Sequence, residues 1–415
     1  MAVGEISWPQ MHVIDGVTLA SAAAGVKYSD RNDVLAISIC DGASVAGVFT
    51  QNAFCAAPVT IAKAHISACR DAGHSPRVLL INSGNANACT GEAGHQAAIQ
   101  CCQAAADHAG LSVEQVLPFS TGVIGELLPA DKIVAVLGEV IPESETESSA
   151  DSWLRAEQAI MTTDSLPKGV THELMWDGHS IKINGIVKGA GMIRPNMATM
   201  LAFVAMDASV APDLLDIISK RAAQRSFNRI TIDGDTSTND ACILIASGKS
   251  SAPRVESADD ALFAALASAV AGLYEALAKL VIRDAEGATK FVEICVQGGG
   301  SEQECLDVAY AIAHSPLVKT AFFASDPNWG RIVAAIGYAG VPNLDVNPIR
   351  MWLDEVLIVE NGGRALSYQE ADGQAVFDKD SFSVIVDLAR GDYREKLWTS
   401  DLSHDYIKIN AEYRS

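Results

Sequence analysis

The sequence has 415 residues, 49% hydrophobic and 20% charged, which is enough chain for two or three domains and the wrong composition for a disordered or fibrous one. Acidic residues outnumber Lys and Arg by 51 to 30, and the net charge of -21 disfavours nucleic acid and anionic membrane surfaces as partners. The nine cysteines are an odd set without a C-x-x-C pair, which suits neither a disulfide framework nor a zinc site and points to a reducing, cytoplasmic home.

Met1 to Val17 contains Glu5 and Asp15 but no Lys or Arg, unlike a signal or transit peptide. Val34 to Thr50 alternates apolar with small or polar residues around Asp41-Gly42, which predicts a hairpin. Arg77 to Ile81 is a short strand that runs into N-S-G-N-A-N at 82–87 and then a helix over 95–109. The acidic, serine-rich run at 143–151 reads as a solvated loop or a boundary. A second hairpin is expected across Asp177-Gly178, with Ile181 and Ile183 on one face of the returning strand. Strands follow near 201–206, 241–246, 291–297, 351–359 and 382–388, and helices over 211–226, 259–280 and 301–314. The most apolar stretch, Ala261 to Tyr274, is shorter than the roughly 18 residues a membrane span needs and reads as a buried helix. Strands and helices mix without βαβ alternation, so the fold class is α+β in mixed layers, not a doubly wound sheet.

Familiar catalytic signatures are missing: there is no G-x-S-x-G elbow and no H-E-x-x-H. Gly189-Ala190-Gly191 begins like a dinucleotide fingerprint, but Pro195 would spoil the helix start that should receive a pyrophosphate. The densest segment is K-G-A-G-M-I-R-P-N-M-A-T-M-L at 188–201, which on composition alone is a glycine-rich turn before a buried strand. Ser120-Thr121-Gly122 alone is an ordinary turn, Lys188 a surface charge and Glu286 an acid at a helix end. The D-G-D of Asp233 to Asp235 lacks the closing glutamate of a calcium loop, so it, Asn82 to Asn87 and Asp326 to Gly330 read as structural turns.

Taken together, the segment 188–201 with N-S-G-N-A-N-A-C-T-G at 82–91, S-T-G-V-I-G at 120–125, M-T-T-D-S-L-P-K at 161–168, D-G-D-T-S-T-N-D at 233–240, D-A-E-G-A-T at 284–289, S-D-P-N-W-G-R at 325–331 and the terminal 408–415 resembles the ornithine acetyltransferase (glutamate N-acetyltransferase) family. The resemblance implies an aminopeptidase-like α+β fold in two or three domains: a main body over 1–280 and a C-terminal domain over 281–415. It implies self-cleavage between Ala198 and Thr199 into chains 1–198 and 199–415, assembled as a heterotetramer of two of each. Thr199 is then the nucleophile, and Thr121 (hydroxyl) and Gly122 (backbone N–H) form the oxyanion hole. Thr162, Lys188, Thr199, Glu286, Asn410 and Ser415 bind substrate, Lys188 and donors such as Asn410 taking an α-carboxylate and Glu286 a substrate cation. Ser415 stands where threonine is equally expected.

Cleavage has a chemical reason. A threonine hydroxyl needs a base, and an amide nitrogen is not one. Cutting before Thr199 frees an α-amine whose unperturbed pKa of about 7.7–8.0 suits general-base work near neutral pH. The implied reaction is ping-pong transfer of acetyl from N2-acetylornithine to glutamate through acetyl-Thr199, in arginine biosynthesis, without a metal or organic cofactor. Acetyl-CoA as a further acetyl donor stays open. The alternatives are an N-terminal-nucleophile aminopeptidase or amidohydrolase, with water as acceptor, and an uncleaved binding protein on the same scaffold.

Overall fold

The computed structural model describes residues 2–141, 149–194 and 200–412. The described strands are β1 (Val17–Ala22), β2 (Val34–Ile39), β3 (Ser44–Phe49), β4 (Val78–Asn82), β5 (Val116–Ser120), β6 (Gly169–Trp176), β7 (His179–Lys188), β8 (Leu201–Met206), β9 (Ile230–Thr231), β10 (Ala241–Ala246), β11 (Phe291–Gly299), β12 (Arg350–Leu353), β13 (Val356–Glu360), β14 (Gly363–Arg364), β15 (Ser381–Asp387) and β16 (Tyr393–Ser400). They form three sheets, ordered β1-β2-β4-β5, β3-β10-β8-β7-β6 and β14-β13-β12-β15-β11-β16-β9. Mixed pairing and flanking helices bear out the α+β expectation.

The first two sheets pack face to face. Leu35, Ile37, Leu79, Ile81, Leu117 and Phe119 of one meet Val45, Leu201, Phe203, Ala205 and Ile243 of the other. Phe119 and Phe203 meet edge-on across the interface, with ring centroids 5.3 Å apart. Because side chains alternate along a strand, β8 sends Ala202, Val204 and Met206 to its other face, against helices Pro212–Arg225 and Ala261–Arg283. Burial on both faces is why β8 and β10 are continuous apolar runs. The outer face of the first sheet (Val34, Ala36, Leu80, Val116) packs on Ala98, Cys102 and Ala105 of helix Gly91–Ala109. The result is four layers, helix, sheet, sheet, helix. The third sheet has its own core with helices Glu302–Ala313, Pro316–Phe323 and Glu370–Phe377, and borrows β9 from earlier in the chain.

Two expectations need correction. The chain does turn at Asp41-Gly42, with Gly42 at φ +77°, but β2 pairs with β1 and β4 whereas β3 pairs with β10. The turn therefore passes the chain between sheets instead of closing a hairpin: both strands are largely buried on both faces, and layer packing, not proximity, chooses their partners. The strand expected over 351–359 is two strands, β12 and β13, paired antiparallel. Asp354 takes the left-handed φ of +48° and accepts hydrogen bonds from the Ser383 backbone N–H (2.8 Å) and hydroxyl (3.0 Å), which fixes the reversal. The hairpin at Asp177-Gly178 is present, both residues at positive φ as a type I′ turn requires.

The apolar helix extends over Ala261–Arg283, long and apolar enough by length and composition to cross a membrane. In the fold, one side of it, including Leu266, Val270, Tyr274 and Leu277, is buried against the second sheet. Of the acidic run at 143–151, residues 143–148 lie outside the described residues, and Ala150 already starts a helix.

Candidate active site

Strand register brings the sequence-selected residues to one edge. Lys188, the last residue of β7, pairs with Leu201, the first of β8, and Leu201 pairs in parallel with Ala241, the first of β10. The C-terminal end of β5 delivers Thr121 and Gly122 to the same place. Thr121, Gly122, Thr162, Lys188, Glu286 and Asn410 all line a single cavity of about 260 Å³, just below the roughly 300–1,000 Å³ of ligand pockets. Met200 lines it too. Ala198, Thr199 and Ser415 lie outside the described residues; Thr199 is the chain neighbour of Met200.

The 82–87 loop is a turn held by its own asparagines, as its composition implied. Asn82 donates to the Asn85 carbonyl (2.8 Å) and accepts from the Ser120 hydroxyl (2.6 Å). Asn239 donates to the carbonyls of Ala86 (2.5 Å) and Ser120 (2.9 Å), tying this loop to the strand end before Thr121. Gly122 sits at φ +133°, and a Cβ there would fall 2.3 Å from the Gly84 carbonyl carbon. Backbone cannot yield by that much cheaply. Gly122→Ala is therefore expected to displace the 120–123 turn and, if Gly122 donates to an oxyanion as the resemblance implies, to cut turnover by about 100-fold or more; kinetics within a factor of two of the parent would exclude that role.

Lys188 is 8% exposed and its Nζ donates to Thr121 Oγ1 at 3.3 Å. A hydroxyl that accepts from an ammonium still has its own proton to give, which suits a donor to an oxyanion. Also in the lining, Asn410 Nδ2 donates to Glu286 Oε2 (2.7 Å) and to the Tyr406 carbonyl (3.0 Å). Asn410 thus has both amide hydrogens engaged in this structure. It orients Glu286 and leaves its own carbonyl oxygen as an acceptor. Glu286 also donates its backbone N–H to Ala190 (2.9 Å), and a Cβ on Gly191 would come 2.5 Å from Glu286 Oε2, so Gly191 makes room for this carboxylate.

Beneath the cavity lies a charge cluster whose residues sit inside the quoted motifs but had no assigned role. Lys168 Nζ bridges Asp164 Oδ1 and Asp284 Oδ2, each at 2.6 Å, with all three side chains essentially unexposed. Asp164 in turn accepts from the backbone N–H of Thr162 (2.8 Å) and Gly189 (2.6 Å), and Asp284 from the Ser165 hydroxyl. One ammonium thereby locks three substrate-lining segments, those of Thr162, Lys188 and Glu286. Burial would push the Asp164 carboxyl up, but Lys168, Lys188 and the hydrogen bonds outweigh it and hold it below the ordinary carboxylate range. Burial drives the neighbouring Glu157 up to about 8 in spite of Lys168. Asp233 works similarly on the other side: it accepts from the N–H groups of Met192 (2.6 Å) and Ile193 (3.0 Å) and from the Tyr406 hydroxyl (3.1 Å). The D-G-D segment is a structural clamp on the strand exit toward residue 194. Asp326 to Gly330 is likewise a turn, where Asn328 donates to Asp326 (3.1 Å) ahead of helix Trp329–Gly337. Among the described residues no group of three or more His, Cys, Asp or Glu is placed to hold a metal ion.

A buried cation, a carboxylate held by an amide and a hydroxyl turned by that cation, around a small cavity, can bind an amino-acid derivative and stabilise an oxyanion. The sequence comparisons agree with that chemistry. The model of the ArgJ family matches residues 18–415. The chain is 51% identical over 415 residues, covering 100% of both chains, to the arginine biosynthesis bifunctional protein ArgJ of Pseudomonas fluorescens (strain Pf0-1). Among solved structures, it is 35% identical to the arginine biosynthesis bifunctional protein ArgJ of Bacillus halodurans, over 49% of this chain and 95% of that one, with a TM-score of 0.47. It is 32% identical to the ornithine acetyltransferase of Mycobacterium tuberculosis complexed with ornithine, over 45% of this chain and 94% of that one, with a TM-score of 0.38.

Proposed function

Because the chain belongs to the ArgJ family, we propose that its cavity carries out acyl transfer on Thr199, with each lining residue in a defined part. The chain is an acetyltransferase of arginine biosynthesis that moves acetyl from N2-acetylornithine to glutamate, and acetyl-CoA as a further acetyl donor is compatible with the word bifunctional in its relatives' names.

The observation that carries the assignment is the convergence of Thr121, Gly122, Thr162, Lys188, Glu286 and Asn410 on the cavity that Met200 also lines. Cleavage of the Ala198-Thr199 bond gives chains 1–198 and 199–415, and the new α-amine takes the proton of the Thr199 hydroxyl as it attacks the acetyl carbonyl. The tetrahedral oxyanion is met by the Thr121 hydroxyl and the Gly122 N–H. Ornithine leaves with the proton, glutamate enters, and the reverse sequence delivers acetyl to its amine. Lys188 neutralises the substrate α-carboxylate, while Glu286 and the Asn410 carbonyl oxygen take the δ-ammonium of ornithine. Thr162 and Ser415 add hydroxyl contacts to the bound amino acid. No metal or organic cofactor enters this scheme. Two copies of each chain assemble as a heterotetramer, the main body comprises 1–280 and the C-terminal domain 281–415. A cytoplasmic location is proposed on the cysteine pattern, nine residues without a C-x-x-C pair.

Glu286→Gln tests the substrate assignment. Losing a charge-assisted contact worth about 1.5–3 kcal/mol should raise KM for acetylornithine by roughly 10- to 100-fold, with the chain break intact on a denaturing gel. An unchanged kcat/KM would remove Glu286 from the binding site. Incubation with acetylornithine alone separates transfer from hydrolysis: the transferase needs glutamate for turnover, whereas an amidohydrolase releases acetate without it.

A further inference from the structure

One carboxyl in the cavity wall takes no part in the scheme above. Asp240 is 3% exposed and lines the same cavity as Thr121, Lys188 and Glu286. It directly precedes β10, where Ala241 donates its N–H to the Met200 carbonyl at 3.0 Å. The preceding residue, Asn239, is the clamp on the Ser120 and Ala86 carbonyls, so the Asp240 backbone is fixed on both sides. Its Oδ2 is fully buried and has no hydrogen-bond partner among the described residues. Nine in ten or more buried polar groups are paired, and leaving one bare costs about 1–3 kcal/mol. An orphan oxygen on a rigid strand end, in the wall of a ligand cavity, marks a place where the ligand completes the pairing.

We propose that Asp240 is a further substrate-contacting residue, its Oδ2 supplying a hydrogen bond to an oxygen atom of the bound acyl-amino acid. The assignment rests on the acyl-transfer reading of this cavity. Burial pushes the Asp240 carboxyl well above the ordinary range, against the opposing pull of the Ser237 hydroxyl and the Lys188 charge. Burial therefore favours the protonated form, in which Oδ2 is an O–H donor. A neutral acid fits the substrates as an ionised one does not. N2-acetylornithine and glutamate both bring carboxylate or acyl oxygens, and a second negative charge in the cavity wall besides Glu286 would repel them.

The test compares the wild-type enzyme with Asp240→Ala and Asp240→Asn, each as the full-length, processed protein. Asp240→Ala should raise KM for N2-acetylornithine about tenfold or more, and Asp240→Asn, which keeps the size and offers an N–H donor, should recover most of that loss. Infrared difference spectra on adding N2-acetylornithine should show the carbonyl stretch of a protonated carboxylic acid shifting in the wild type and absent from Asp240→Asn. A purely structural role would leave that band unmoved by ligand. A ligand-insensitive band in active wild-type enzyme, or an unchanged KM in Asp240→Ala, overturns the Asp240 assignment alone. Wild-type enzyme that transfers no acetyl overturns the acyl-transfer reading itself.

Discussion

Thr199→Ala is expected to remain a single full-length chain and to lose acetyl transfer by at least about 1,000-fold, because one atom serves both reactions. In the proposed scheme the Thr199 hydroxyl attacks the Ala198 carbonyl in the precursor and the acetyl group in the mature enzyme. Alanine has no hydroxyl, so neither ester forms, and without cleavage no α-amine appears to act as base. Thr199→Ser keeps the hydroxyl and should still be processed, which separates loss of chemistry from loss of fold. The cavity walls contributed by β5, β7 and β10 are intact in either variant, so ornithine binding by calorimetry should survive in Thr199→Ala. Transfer within tenfold of wild type by the alanine variant would assign the nucleophile elsewhere.

Lys168→Met should be the most destabilising single change in the cavity floor. Methionine fills a similar volume, but it leaves Asp164 and Asp284 as two uncompensated carboxylates with no exposure to water. Breaking a buried ion pair from one side costs about 3–5 kcal/mol, a large share of the 5–15 kcal/mol that holds a typical domain. Adding Asp164→Asn and Asp284→Asn removes the stranded charges and should restore part of the stability, although the amides cannot grip the Thr162 and Gly189 N–H groups as a carboxylate does. The same pairing carries a pH signature. The Asp164 carboxyl is held below its ordinary value, so its contribution is present above the unfolded pKa near about 3.9 and is lost as pH falls further. Chemical unfolding of Lys168→Met within about 1 kcal/mol of wild type would show the triad to be energetically neutral, as some buried pairs are.

The parts of this fold legible in the sequence are those whose pattern and burial agree. β8 and β10 are apolar throughout because both faces are covered, and their polar boundaries stand out; their observed limits, 201–206 and 241–246, are the expected ones. The segments at 34–50 and 351–359 misled for opposite reasons. In the first, a good turn dipeptide says that the chain reverses but not which strand it will join. In the second, an apolar run hides a reversal that depends on Asp354 reaching Ser383, nearly thirty residues away in the chain.

The site shows the same division. Thr121, Gly122, Thr162, Lys188, Glu286 and Asn410 come from separate segments, and no local pattern joins them. They were found through resemblance, and the structure then placed them around one cavity. Lys168 with Asp164 and Asp284 was missed because a polar residue near Pro or Gly reads as loop punctuation, and its burial is decided only by tertiary packing. Asp240 was hidden in a run of turn formers for the same reason. The hydrogen bonds of Asn410 to Glu286 and the Tyr406 carbonyl were likewise beyond any local pattern, because they depend on where the terminal helix docks.

The central claim is that the catalytic residue is created by a break in the chain. Intact-mass analysis of active enzyme, with and without N2-acetylornithine, tests it most directly. Two polypeptides should appear, the second beginning at Thr199 and gaining the mass of one acetyl group when the substrate is added. A fully active preparation consisting of one unbroken chain of 415 residues, or an acetyl group found on any residue other than Thr199, would contradict the account.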